Sequence, residues 1–260
     1  MHIVVCMKHI LDYELPPASI RVASDGKSVA EEGQPRTMGP FDQNALEMAL
    51  KAKDADESIQ VTVLTAGPAP SEEILRKGLA LTAQKAVRVD LGQSLGPDSL
   101  TAARILAAAI GKLDPAPDVI LVGRQSGDWD QGVVGPALAE ELGASFIPLG
   151  FQLVKEGDGW AVLAQEENGQ AKVAWQGQAV VSITNHESNV LRLPKLKDLM
   201  AARRQSIDTF SLADLGLADL EAASETVAVS LPKRQKECEF LEGEPEEVGR
   251  ALAERLRRWI

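Results

Sequence analysis

A doubly wound α/β fold with a mostly parallel sheet, an antiparallel β flap and a C-terminal arm is the architecture this sequence predicts. Short apolar runs alternate with stretches of helical spacing through the first 142 residues. The later runs are apolar on both faces, as strands covered by helices on two sides must be. After Leu142 the rhythm changes to short strands separated by polar turns.

His2 to Met7 is the first apolar strand, and Phe41 to Ala55 carries apolar residues three and four apart, as one face of a helix does. Ile59 to Thr65 is the next strand. Ser71 to Leu81 begins with Ser71, Glu72 and Glu73, where a cap oxygen and acidic charge would meet unpaired amides. Ala86 to Asp90 is a strand, Ser99 to Lys112 an alanine-rich helix, and Asp118 to Gly123 a strand too apolar to face water. Phe146 to Val154, Trp160 to Glu166 and Lys172 to Trp175 form the flap, with a turn at Glu156, Gly157, Asp158 and Gly159. Gln178 to Thr184 is again a buried strand that can complete the main sheet. Ser206 to Ser230 reads as irregular. Leu231 to Glu247 holds a Lys-Arg-Gln-Lys cluster at 233–236, and Glu246 to Ile260 regains helical spacing through Val248, Leu252, Leu256 and Ile260. The domain plan is therefore a body over 1–207, including the flap at 146–177, and an arm over 208–260 with too little core of its own.

Composition narrows the function. A net charge of −11 opposes broad nucleic-acid binding, which needs basic surface to displace counterions from phosphates. No apolar run approaches the roughly 18–20 residues that cross a bilayer, and the opening ten residues turn polar too soon for a secretory signal, so a cytoplasmic location is expected. Cys6 and Cys238 make neither a disulfide framework nor a metal cluster. His2, His9 and His186 are scattered, and no G-x-S-x-G elbow is present, which removes the usual hydrolase reading. The acidic pair Glu140 and Glu141 reads as a solvated helix face.

Gly123 to Pro136 follows a strand and opens a helix, so its amides and the helix dipole suit a phosphate; the duller reading is a loop that needs glycine only to turn. Asp128 and Asp130 must then cap amides or face solvent, because inward carboxylates would repel phosphate. Neither G-x-x-x-x-G-K-[ST] nor G-x-G-x-x-G after the first strand occurs. Met38 to Phe41 and Ala66 to Ala69 are glycine-proline turns at the same edge of the sheet, either punctuation or the rim of a cleft for adenine and ribose. His186 to Ile207 joins a leucine, Leu196, flanked by Lys195 and Lys197, to a basic helix start. It reads as a docking loop, or as an ordinary packed loop.

At these residues the chain resembles the β subunit of electron transfer flavoprotein, the FixA type, over nearly its whole length. The match runs through Lys8 to Tyr13, Met38 to Phe41, Ala66 to Ala69, Gly123 to Pro136 and Asn189 to Met200, with Arg192, Leu196 and Met200 at the family's spacing. The resemblance implies a sheet of the adenine nucleotide alpha hydrolase-like type and an electron carrier subunit without bond chemistry of its own. It also implies a heterodimer with an α subunit that holds most of the FAD, and a structural AMP in the β subunit. The AMP pocket it implies uses Cys6, Gly39, Pro40, Phe41, Asp42, Ala66, Gly123, Arg124, Gln125, Ser126, Gly127, Asp128, Trp129, Asp130, Gln131, Gly132, Val133 and Val134. Tyr13 and Phe41 would lie near the partner's FAD, and the arm would pack on the α subunit. Arg192, Leu196 and Met200, in a recognition loop over 190–200, would meet an acyl-CoA dehydrogenase-type flavoenzyme, with a quinone oxidoreductase downstream. Some members bind a second FAD in place of AMP and bifurcate electrons. Gly135-Pro136 looks like that branch, whereas Tyr13 with Phe41 looks like the simple carriers; Val133 replaces a glutamine frequent in both, and AMP is the favoured occupant. Ala201 and Arg204 stand where some relatives carry lysine. A stand-alone adenine-nucleotide sensor of related fold is the alternative from another class.

Overall fold

Each central strand is apolar at every position because helices cover both of its faces. In the computed structural model, which describes residues 1–92, 98–157, 159–232 and 238–258, β1 (His2–Cys6) and β10 (Ala179–Ile183) are buried along their whole length. Side chains alternate across β1. Ile3 and Val5 join the core under α1 (Pro40–Ala55) and α2 (Glu72–Ala80), while Val4 and Cys6 join the core under α3 (Ser99–Ile110) and α4 (Val134–Leu142). Two helical layers on one sheet are the doubly wound arrangement the sequence predicts.

The sheet has nine strands in the order β11-β5-β4-β1-β6-β10-β7-β8-β9. β4 (Gln60–Gly67) and β6 (Val119–Gly123) flank β1 and run parallel to it; β5 (Lys85–Asp90) and β10 extend the parallel part on either side. The antiparallel flap continues this same sheet. β7 (Ser145–Glu156) is parallel to β10 in its first half and antiparallel to β8 (Gly159–Glu166) in its second, and β9 (Gly169–Ala174) closes the edge. The change of partner falls at Gly150, where register shifts on both sides, and a Cβ there would stand 2.6 Å from Val181 Cγ1.

Several elements differ from the sequence reading. His9–Leu11 and Arg36–Met38 pair as a small antiparallel ribbon, β2 and β3, that no alternation announced. β11 (Asp208–Ser211) lies inside the stretch expected to be irregular and pairs in parallel with β5. It carries the body past the expected end at 207: the chain divides into compact units Met1–Val229 and Ser230–Ile260. Ser71 does not cap α2 as expected. A short 3-10 turn at Ala69–Ser71 puts Ser71 in helical conformation and buries it, without a capping hydrogen bond, although Glu72 and Glu73 do occupy the first turn.

The second unit contains α6 (Pro245–Leu256), none of whose residues is buried; Glu246 and Glu247 sit in its first turn, and Arg255 pairs with Glu239. The expected basic cluster at 233–236, the turn residue Asp158 and the terminal Ile260 lie outside the described residues.

Candidate functional site at the switch point of the sheet

The chain leaves β1 toward β4 on one side, while β6 lies on the other, so the strand order reverses between β1 and β6. Ligands of such sheets sit outside the carboxyl ends of the strands at that point. A cleft of about 980 Å³, its open mouth included, lies there, within the range of small-molecule sites. Cys6, Ala66 and Gly123, at or near the ends of three adjacent strands, line it together with Asp42, Arg124, Gln125, Ser126, Trp129, Gln131, Gly132, Val133 and Val134.

Gly39, Pro40, Phe41, Gly127, Asp128 and Asp130, which the family resemblance also places in the pocket, are not among the lining residues. Conversely, the cleft takes in Met7, Lys8, His9, Gly67, Pro68 and Ser71, and the first turns of α3 through Asp98, Ser99, Ala102 and Leu106. The α3 contribution had a signal: Asp98 immediately precedes an alanine-rich helix and accepts the Thr101 N–H at 3.2 Å. Its other carboxylate oxygen accepts the amides of Ala223 and Ser224, fixing the returning chain beside the cleft.

Asp42 joins three elements. Buried in the first turn of α1, its carboxylate accepts the Lys8 N–H at 2.8 Å and the Gly123 N–H. Burial lifts its pKa to about 7 despite these donors. Gly123 is glycine because of this pin: a Cβ would stand 2.5 Å from Asp42 Oδ1 and 3.0 Å from Phe41 Cβ. A Cβ at Gly127 would meet Ile10 Cδ1 at 2.9 Å, and Gly132 has a positive φ of 69°. The loop's glycines therefore serve its own packing and turning, the plainer of the two readings of this stretch.

The loop's carboxylates are not among the lining residues, and each is satisfied by a neighbour. Asp128 pairs with Lys8 at 2.9 Å and accepts the Trp129 N–H, while Asp130 accepts from the Gln125 amide. Burial works to raise Asp128, but the charge and hydrogen bond of Lys8, with hydrogen bonds from Ser126 and the Trp129 N–H, together hold the carboxyl below its ordinary value. Ser99 donates to Gln131 at 2.6 Å, tying α3 to the loop.

What remains for a ligand is distinctive. The start of α4 has no side-chain cap. Arg124 lies 4.7 Å above the Phe41 ring, and its buried Nε has no hydrogen-bond partner among the described residues. Both ring nitrogens of the buried His9 also lack hydrogen bonds among the described residues; burial, with Arg36 adding to it, lowers His9 to about 4, so the ring is neutral. Ala66, Ala102, Leu106 and Val122 supply apolar wall, and burial pushes the Cys6 thiol up, leaving it an inert small side chain. An apolar wall beside uncapped amides and a guanidinium with an unpaired Nε could take an adenylate, with a flat base and an anionic phosphate. Among the described residues, no group of His, Cys, Asp and Glu is placed to hold a metal, and no helix is long and apolar enough to cross a membrane.

The segment after β10 has a different character. Leu196 opens α5 (Leu196–Ala202) and is 76% exposed; Leu193 is 89% exposed, Val190 76% and Met200 50%. Arg192 is turned back onto its own chain. Its Nε and one terminal nitrogen donate to the Glu47 carboxylate at 2.9–3.1 Å, and that terminal nitrogen also meets Asp54 at 2.7 Å. Hydrogen bonds to Glu47 and then Asp54 hold the guanidinium well above its usual range. Tyr13 is about half exposed, and Phe41 lies under Arg124.

A family model described as the electron transfer flavoprotein domain matches residues 27–215. The chain is 35% identical to the electron transfer flavoprotein subunit beta of Megasphaera elsdenii over 227 residues, covering 85% of this chain and 82% of that protein. It is 30% identical to the subunit of the same name from Bradyrhizobium diazoefficiens, covering 91% of each. Protein FixA of Azorhizobium caulinodans is likewise 30% identical, over 90% of this chain and 83% of its own length.

Proposed function

The chain belongs to the electron transfer flavoprotein β-subunit family, of the FixA type, and from that membership we propose that it works as the small half of an αβ electron carrier. In this reading the cleft holds a structural AMP, and the 230–260 unit packs on an α subunit bearing FAD. The exposed leucine segment docks an acyl-CoA dehydrogenase-type flavoenzyme. FAD held mainly by the α subunit would supply the redox chemistry between the flavoenzyme donor and an acceptor such as a quinone oxidoreductase.

This chain's residues bind, orient and dock. The adenine slot is the apolar wall of Ala66, Ala102, Leu106 and Val122; the phosphate faces the amides at the start of α4 and the unpaired Arg124 Nε. Val190, Leu193, Leu196 and Met200 offer aliphatic surface at the other site. The observation that carries the docking reading is Leu196, an aliphatic side chain left in water between two lysines, since clusters of this kind mark interaction surfaces.

The test is the heterodimer co-expressed with its α subunit. Denaturing it and weighing the released nucleotides should give one FAD and one AMP. Two FAD and no AMP would replace this reading with the bifurcating one, and a β chain that purifies colourless and alone would remove the electron-carrier role.

A further inference from the structure

Glu47 is almost wholly buried, on the flank of α1, and a carboxylate in that position demands a partner. Arg192 answers it from 145 residues away with its backbone N–H at 3.0 Å and with a two-pronged guanidinium contact. The same flank carries two more ties. Asn44 accepts the His186 N–H at 3.1 Å, and Lys51 donates to the Ser188 carbonyl. Residues 44, 47, 51 and 54 follow helical spacing, so one stripe of α1 holds residues 186–192. On the opposite side the buried Asn189 donates to the Phe151 carbonyl at 2.6 Å.

Beyond Arg192 no side-chain tie to the body occurs among the described residues until the far end of α5, and Leu193, Leu196 and Met200 stand out in water. At that far end Ala202 is buried and its carbonyl accepts from Arg76. The exposed stretch is thus a short bridge between two fixed ends. An unsupported segment of this kind would sample many conformations, and binding would have to order it first.

We infer that Glu47 and Arg192 are a positioning pair: they hold the Leu193–Met200 surface in its docking geometry and act on the electron-donating flavoenzyme only through it. This rests on the docking role proposed above. It also gives Arg192 a different part from direct contact with the dehydrogenase.

The experiment uses the αβ heterodimer and a medium-chain acyl-CoA dehydrogenase as the reducing probe. Leu196→Ala should raise KM for the heterodimer about tenfold, the loss of one well-packed anchor. Glu47→Gln should raise KM severalfold with kcat within about twofold and nucleotide content unchanged. The double variant should be no worse than Leu196→Ala alone, because a pair that acts through the anchor has nothing left to position. Arg192→Lys, which keeps the charge but loses the fork, should fall between wild type and Glu47→Gln.

Hydrogen exchange supplies a readout without the dehydrogenase: amides 186–193 should exchange faster in Glu47→Gln and Arg192→Lys, with those of 124–132 unchanged. Should Glu47→Gln fail to assemble, Arg192→Lys carries both measurements. An additive loss in the double variant, or unchanged exchange at 186–193, overturns the positioning role while the docking role stands. If Leu196→Ala has no effect on KM, the docking role itself falls and takes this inference with it.

Discussion

The segments that follow β6 and β10 make an instructive pair. The two strands are adjacent, parallel and buried but for Gly123 at the end of β6, and both end on the same edge of the sheet. Past β6, residues 124–133 close one pair within the loop, Asp130 with Gln125, and two onto the neighbouring edges of the cleft, Asp128 with Lys8 and Gln131 with Ser99. Past β10, residues 184–195 spend their polar groups on neighbouring elements, Asn44, Glu47 and Phe151, and leave aliphatic side chains in water. Where the polar groups go decides the character of each segment. A loop whose polar side chains close on itself and on the other edges of the cleft is a rim. One that fastens its polar groups to the body becomes a platform for apolar side chains.

If the rim is that tightly interlocked, its least tolerant position should be Gly123. Alanine there puts a methyl 2.5 Å from Asp42 Oδ1 and 3.2 Å from the Asp42 nitrogen, where backbone and a buried carboxylate must both yield. The expected loss is about 3 kcal/mol or more, or failure to accumulate folded protein. Denaturant unfolding of Gly123→Ala measures it. A midpoint equal to wild type would mean that the rim can relax, and the contrast with the docking segment would lose its basis.

The sequence made the rim easier to read than what stands behind it. Fully buried parallel strands and the loop at Gly123 carry strong local signals: unbroken apolar runs, then glycine before a helix. β2, β3 and β11 do not, because three or four residues are too few for a period to show, and their pairing partners decide their conformation. Ser71 illustrates the reverse error. A serine before two glutamates looks like a cap, yet the Ala69–Ser71 turn packs its hydroxyl where a Gly67 Cβ would be, 2.5 Å away. The tie between Glu47 and Arg192 was out of reach, since no local pattern links residues 145 positions apart. Leu196 was legible through its lysine neighbours, Lys195 and Lys197.

The rim also contains two groups whose proton linkages oppose each other. His9 is held at about 4, below its ordinary 6.5, by burial and Arg36, with Glu73 only 3.9 Å away at the surface. A lowered histidine contributes stability above pH 6.5 that is lost as pH falls toward 4, because the unfolded chain takes up the proton first. Asp42 is raised from 3.8 to about 7 by burial, so its contribution is present below pH 4 and lost as pH rises toward 7. Each effect is worth up to a few kcal/mol, and in the native chain they partly cancel between pH 4 and 6.5. His9→Gln should therefore expose a stability that falls steadily as pH rises from 4 to 7, and Asp42→Asn one that falls as pH drops below 6.5. Unfolding curves across that range check both signs. A flat profile in both variants would remove the buried rim titrations from the comparison.

The smallest effect on stability belongs to the other segment. Leu196 has most of its surface in water already, so truncation removes little burial and leaves no cavity. Leu196→Ala should change the unfolding free energy by less than about 0.5 kcal/mol, the range of surface substitutions remote from special features. The same change at an interior leucine of comparable size, Leu46 or Leu75, both fully buried, would cost several times more. Denaturant unfolding of the β chain with its α subunit gives the number. A loss above about 1 kcal/mol would place Leu196 against its own protein, and the platform would then be one more packed loop. A near-zero change, together with a raised KM for the donor enzyme, would separate what this side chain does for docking from what it does for folding.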